Sequence, residues 1–192
     1  MAAEFLELEL DPDPGWHPVP EDDVDLYDWA LGLVRERAGT GAADDVVLTA
    51  AEDLVRHARP AREDLVELAY VFHPDPLGPV LAVCHVELVF GTAGDLPSPT
   101  EIAASLARRL PEHLEEPEVD QRLLTAGPAV RQHVMRAEDD GSVVEQVTYV
   151  VTVPALDDAL LRITTSWRAV ALGDPLVEQG DRLAAGLVVR TS

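Results

Sequence analysis

Leu6, Leu8 and Leu10 alternate with Glu7 and Glu9 in the run EFLELEL, and that period of two predicts a half-buried edge strand. The next ten residues, DPDPGWHPVP, hold four prolines and stop the ladder, because proline offers no N–H to a neighbouring strand. The period then changes. Val24, Tyr27, Leu31, Val34 and Ala38 recur at spacings of three and four, which predicts a helix. It should begin near Asp22 or Asp23, with acids at the positive end of its dipole, and end at Gly39 and Gly41. Thr49, followed three residues later by Glu52, reads as a capping box and predicts a short second helix closed by Pro60.

Alternation returns in DLVELAYVF, where Val66, Leu68, Tyr70 and Phe72 share a side, and again in VLAVCHVELVF after the turn HPDPLGP. These two runs predict a hairpin. Ser98, Pro99 and Glu101 supply the N-cap, first position and reciprocal cap of a further helix, with Ile102, Leu106 and Leu110 four apart. EHLEEPEVDQ is acidic and reads as an exposed segment. The runs AVRQHVMRAE, SVVEQVTYVVTV and ALLRITTSWRAV predict a three-stranded meander, turning at Asp139, Asp140 and Gly141 and again around residues 154–158. Asp174 and Pro175 then open a closing helix with Leu176, Leu183 and Leu187 at helical spacing. Gly180 within it lowers helix stability by about 1 kcal/mol relative to alanine, which a close approach to the sheet would offset. Trp167 alternates with Leu161 and Ile163 and is expected to pack against that helix.

The order is strand, helix, short helix, hairpin, helix, meander, helix. No linker or repeat divides it, so the expectation is one α+β domain over residues 1–192. Its single, mostly antiparallel sheet of about six strands should pack against three or four helices. The alternating polar positions argue against a fully buried parallel sheet.

This order resembles the PsbP-like α/β/α sandwich fold over most of the chain. The likeness lies in the long antiparallel sheet, the strand-and-helix opening and the closing strand SWRAV feeding LVEQGDRLAAGL. It carries no diagnostic motif and transfers no functional residue. It implies a binding or adaptor protein rather than an enzyme.

Charge changes the picture next. Thirty-six acidic and 14 basic residues give a net charge of -22, and every basic residue is arginine. Arginine without lysine, with abundant Ala, Val, Leu and Pro, points to a high-GC bacterial coding bias. The first 25 residues hold nine acids and no arginine. Such a field repels phosphate backbones and anionic lipid, so neither nucleic acid nor a membrane surface is an expected partner. No run of 18 apolar residues and no charged-then-apolar leader pattern is present, and the cytoplasm is the expected compartment. Cys84 is the one cysteine, on the apolar side of its strand, and reads as a buried, inert thiol.

Chemistry-bearing motifs are sparse. There is no phosphate-binding glycine loop, G-x-S-x-G elbow, H-E-x-x-H pair or calcium loop, and no metal or cofactor is expected. Of six histidines, His85 and His133 fall inside strands. His85 and Glu87 share a strand face, Glu67 lies at the matching place on the hairpin partner, and Arg131 and His133 share a face of a later strand. If these faces coincide, Glu67, His85, Glu87, Arg131 and His133 form a polar patch suited to binding a ligand or to acid–base work. Otherwise each is part of a solvated or ion-paired sheet face. Trp16 and His17, in the proline-rich loop, either plug the edge of the core or stand out as a partner anchor. The leading expectation is therefore a non-enzymatic interaction or assembly module whose partner is another protein or a second copy, through GWHPVP, EHLEEPEVDQ or the edge of EFLELEL. The alternative is a small-ligand-binding protein or enzyme using the patch around His85 and Glu87.

Overall fold

The computed structural model describes residues 6–10, 12–20, 24–63, 66–92 and 94–191. The elements are β1 (Leu6–Leu10), β2 (Trp16–Pro18), α1 (Leu26–Ala38), α2 (Asp44–Glu63), β3 (Leu68–Phe72), β4 (Ala82–Phe90) and α3 (Pro99–Leu106). They continue with β5 (Glu118–Leu124), β6 (Gly127–Ala137), β7 (Val143–Val151), β8 (Ala159–Trp167), a 3₁₀ turn over Val170–Leu172, α4 (Gly173–Ala185) and β9 (Leu187–Thr191). The class is α+β. Seven strands form one antiparallel sheet in the order β2-β3-β4-β8-β7-β6-β5, and β1 pairs with β9 in a separate two-stranded ribbon.

Because side chains alternate across a strand, the sheet has two distinct faces. One carries Tyr70, Phe72, Cys84, Val86, Val147, Tyr149, Leu161, Ile163 and Trp167, packed against Leu176, Leu183 and Ala184 of α4 and Leu8, Leu10 and Leu187 of the ribbon. The other is covered at its two ends. At one end Val71 and Val83 meet the apolar stripes of α1 and α2, built on Val34, Val47, Ala51 and Leu54. At the other, Val130, Val150 and Leu160 meet Ile102 and Leu106 of α3.

Several boundaries differ from the sequence expectation, each for a local reason. Asp25 caps α1, accepting from the N–H groups of Tyr27 at 2.8 Å and Asp28 at 2.9 Å; Asp22 and Asp23 lie outside the described residues. Helix α2 starts at Asp44 rather than Thr49, and the Thr49 hydroxyl donates back to Asp45 O at 2.9 Å instead of capping. Two aspartates in its first turn favour the earlier start electrostatically. Pro60 sits within its last turn, where little helix remains for a missing N–H to disrupt. The Ser98–Glu101 capping box of α3 is present as expected.

Three strands are additional. The proline-rich run does not stop the ladder throughout: Trp16–Pro18 is β2, with Trp16 and His17 pairing to β3 before Pro18 ends it. EVDQRLL, half of it inside the acidic segment, is β5, and His113 in that segment is buried and bridges to Arg136. The closing helix stops at Ala185 with Gly186 as its cap, and Leu187 begins β9. Asp174 makes no side-chain cap there, because a 3₁₀ turn leads straight into the helix. The strand read from EFLELEL exists over Leu6–Leu10, with one edge already taken by β9; Glu4 and Phe5 lie outside the described residues.

Candidate functional site

The pairing register decides which predicted residues meet. His85 on β4 lies opposite Thr164 on β8, Thr164 opposite Thr148 on β7, and Thr148 opposite Gln132 on β6. This is one polar row crossing four neighbouring strands, so at about 4.8 Å per strand it spans roughly 14 Å. Glu87 lies opposite Arg162 in the next row, and Ser166 lies opposite Gln146 in the row before. All of these project from the face that α2 and α3 cover only at its ends. Beside α3 this face leaves a groove of about 450 Å³, whose floor joins the polar rows to the apolar Val89, Val150 and Leu160, with Leu106 of α3 at its side.

The floor is organised by its own hydrogen bonds. Gln132, buried, donates from Nε2 to Leu106 O at 2.7 Å, which ties the floor to the end of α3. Gln146 Nε2 donates to Thr148 Oγ1 at 2.9 Å, and the Thr148 and Thr164 hydroxyls stand 3.5 Å apart. Arg162 Nε donates to Glu87 Oε2 at 2.5 Å. That ion pair cancels the two formal charges of the floor, leaving hydroxyl, amide and imidazole groups in a protein that is otherwise strongly anionic. Glu87 is thereby held on Arg162.

Arg131 and His133 are not part of this surface. Their partners Tyr149 and Val147 belong to the opposite face, beneath α4, so the five-residue patch is divided between two sides of the sheet. Under α4, His133 Nε2 donates to buried Glu145 Oε1 at 2.8 Å, and Trp167 Nε1 donates to Glu145 Oε2 at 2.9 Å. Arg131 donates to Asp181 Oδ1 of α4 at 3.0 Å. The Arg131–Asp181 contact fastens helix to sheet, and the two Glu145 contacts tie β7 to its neighbours β6 and β8. Glu67 is exposed just before β3, beside Pro18, Val19 and Arg62, and although its N–H reaches Val86 O at 2.9 Å, it does not line the groove. Of the five, His85 and Glu87 alone share the site.

Trp16 is 4% exposed and packs on Phe72, ring centroids 5.0 Å apart, so it plugs the core and offers a partner no anchor. His17, beside it on β2, faces the α1 side. Burial, then the charge of Arg37, pushes its pKa below the ordinary histidine value. Arg37 is itself engaged, donating to His73 O at 2.7 Å and Pro74 O at 2.8 Å. Cys84 is fully buried, with its pKa pushed up to about 12 by burial.

The sequence reading missed Gln132, Gln146, Thr148, Arg162 and Thr164. Their signal was present as the polar half of the alternation in VVEQVTYVV and ALLRITTSW, and as Gln132 in GPAVRQHVMRA, but it became a site only when register aligned the four strands. Among the described residues, no group of three His, Cys, Asp or Glu side chains is placed to hold a metal ion, and no helix is long and apolar enough to cross a membrane.

The chain is thus an α+β protein with a seven-stranded antiparallel sheet, helices on both faces and a polar groove on one. Among solved structures it is similar in fold to LpqN of Mycobacterium tuberculosis, a protein described as involved in cell envelope biogenesis. The TM-score is 0.56 at 11% identity, over 97% of this chain and 85% of that one. No protein-family profile and no curated protein matches the sequence.

Proposed function

We propose that the protein is a non-enzymatic binding module whose working surface is the groove beside α3. The observation that supports this reading is the row His85, Thr164, Thr148 and Gln132, aligned across four strands with the apolar Val150, Leu160 and Leu106 beside it. Ligand sites commonly combine apolar lining of this kind with a few convergent polar groups. The floor offers both donors and acceptors and no excess charge, which suits a small neutral ligand rich in hydroxyl or amide groups. The pairing of Glu87 with Arg162 favours binding over proton transfer, since a general base must be available to the proton it takes.

The test is an amide-resolved NMR titration with a panel of neutral polyols and small amides. Shifts should gather at His85, Gln146, Thr148 and Thr164. Thr148→Val and Thr164→Val should each weaken the best ligand by roughly tenfold, the worth of one hydrogen bond. Shifts scattered over the surface, or none at millimolar ligand, would remove the proposal.

A further inference from the structure

The outer edge of β5 ends the seven-stranded sheet, and no described strand pairs with it. The strand reads Glu118, Val119, Asp120, Gln121, Arg122, Leu123, Leu124. About Gln121, Asp120 mirrors Arg122 and Val119 mirrors Leu123, while Glu118 at one end mirrors Leu124 at the other. We propose that two copies of the chain pair antiparallel through β5, on a twofold axis at Gln121.

In that register Asp120 lies opposite Arg122 of the second copy, and Arg122 opposite its Asp120. Val119 lies opposite Leu123 in the same way, twice. Directly opposed side chains in an antiparallel pair are near neighbours, and opposite charges or apolar pairs there are stabilising. Leu123 is 83% exposed, the most exposed large apolar side chain among the described residues, and the pairing gives it an apolar neighbour. Within one chain Arg122 already closes on Asp120 two residues away, so the dimer would extend an existing ion pair into a square of four alternating charges.

The alternatives are worse. A twofold axis on Asp120 or on Arg122 sets that side chain against its own copy, which like charges oppose. An axis between residues joins unlike faces of the two sheets and sets Arg122 against Val119 or Gln121. The other sheet edge is only three residues long and ends at Pro18, which has no N–H to give. Pairing at Gln121 joins the two seven-stranded sheets with like faces continuous, so both grooves open on the same side.

Sedimentation velocity of the full chain across the micromolar range should show a reversible dimer. Arg122→Asp alone, and Asp120→Arg alone, should each weaken it by about tenfold or more, because each opposes like charges. Mixing those two variants should restore association, since one copy then presents two acids to two arginines. As a measurement that leaves the charges alone, Gln121→Cys should form an intermolecular disulfide on mild oxidation, while Leu123→Cys should not. A wild-type chain that stays monomeric, single variants that dimerise like wild type, or a Gln121→Cys protein that does not crosslink would each overturn the proposal.

Discussion

Tyr149 on β7 and Asp181 on α4 are joined by a hydrogen bond, the phenol donating to Oδ1 at 2.8 Å, and Arg131 Nε donates to the same oxygen at 3.0 Å. One helix carboxylate thus satisfies two groups on the sheet, and Arg131 is buried, with Asp120 as a more distant second partner at 3.6 Å. Asp181→Ala should cost about 1–3 kcal/mol, the usual penalty for leaving a buried polar group unpaired. Tyr149→Phe should cost about 1 kcal/mol, because it removes one hydrogen bond and keeps the ring. Urea unfolding monitored by circular dichroism reads both.

The same burial sets an alkaline limit. Burial, then the bond to Asp181, pushes Tyr149 well above the ordinary tyrosine value of 10.0. Burial also raises Tyr70, and it raises Cys84 from 9.0 to about 12. Each group stays protonated in the folded chain at a pH where the unfolded chain has lost its proton. Their contribution to stability is therefore complete below pH 9.0 and lost as pH rises toward the folded-state values. Unfolding midpoints should fall above that pH, less steeply in Tyr149→Phe. Cys84 should resist thiol reagents at pH 8 and react only at the rate of unfolding; rapid labelling of the folded chain would contradict its burial.

Much of this architecture is legible in the residue pattern, and the exceptions share a cause. Periodicity finds β3, β4 and the meander because each strand has one strongly apolar face. It misses β5, whose Val119, Gln121 and Leu123 form too weak a stripe on an edge strand. It also runs α4 on through Leu187, since Leu183 and Leu187 keep helical spacing across Gly186 and only pairing with Leu10 makes the latter a strand residue. The candidate site fails in the same way. Period two correctly puts His85 with Glu87, and Arg131 with His133. Which pair shares a face with the other depends on registers across β8 and β7, and those are properties of the assembled sheet.

Three histidines define the acid side. Burial pushes the pKa of His17, His57 and His73 below the ordinary histidine value of 6.5, with help from Arg37 at His17 and His73 and from Arg56 at His57. His73 also meets Asp75, which pulls the other way. The folded chain keeps these rings neutral where the unfolded chain protonates them. The stability they contribute is present above pH 6.5 and lost as pH falls through the folded-state values. Imidazole proton shifts should give midpoints below 6.5 for all three. A midpoint at or above that value for any of them would contradict its burial.

Two glycines separate local propensity from packing. In α4, replacing Gly180 by alanine would raise helix stability by about 1 kcal/mol if propensity acted alone. Its added Cβ, however, would stand 3.2 Å from Thr165 Cβ and 3.3 Å from Thr165 Oγ1, on a central strand with little room to move. Gly180→Ala should therefore leave stability unchanged or lower it, and Gly180→Val should lower it clearly through overpacking of about 1–3 kcal/mol. Gly127 is the harder constraint. It opens β6 with φ at +144°, and a Cβ there would lie 2.3 Å from Thr152 O, a backbone atom of the strand exit opposite. Gly127→Ala should cost more than Gly180→Ala, since it adds backbone strain of about 1–3 kcal/mol to a collision that no side-chain rotation relieves. Equilibrium unfolding of the three variants orders them; a Gly127→Ala protein as stable as wild type would show that the β5–β6 turn can take another path, and with it that the β5 edge is less firmly held than its register implies.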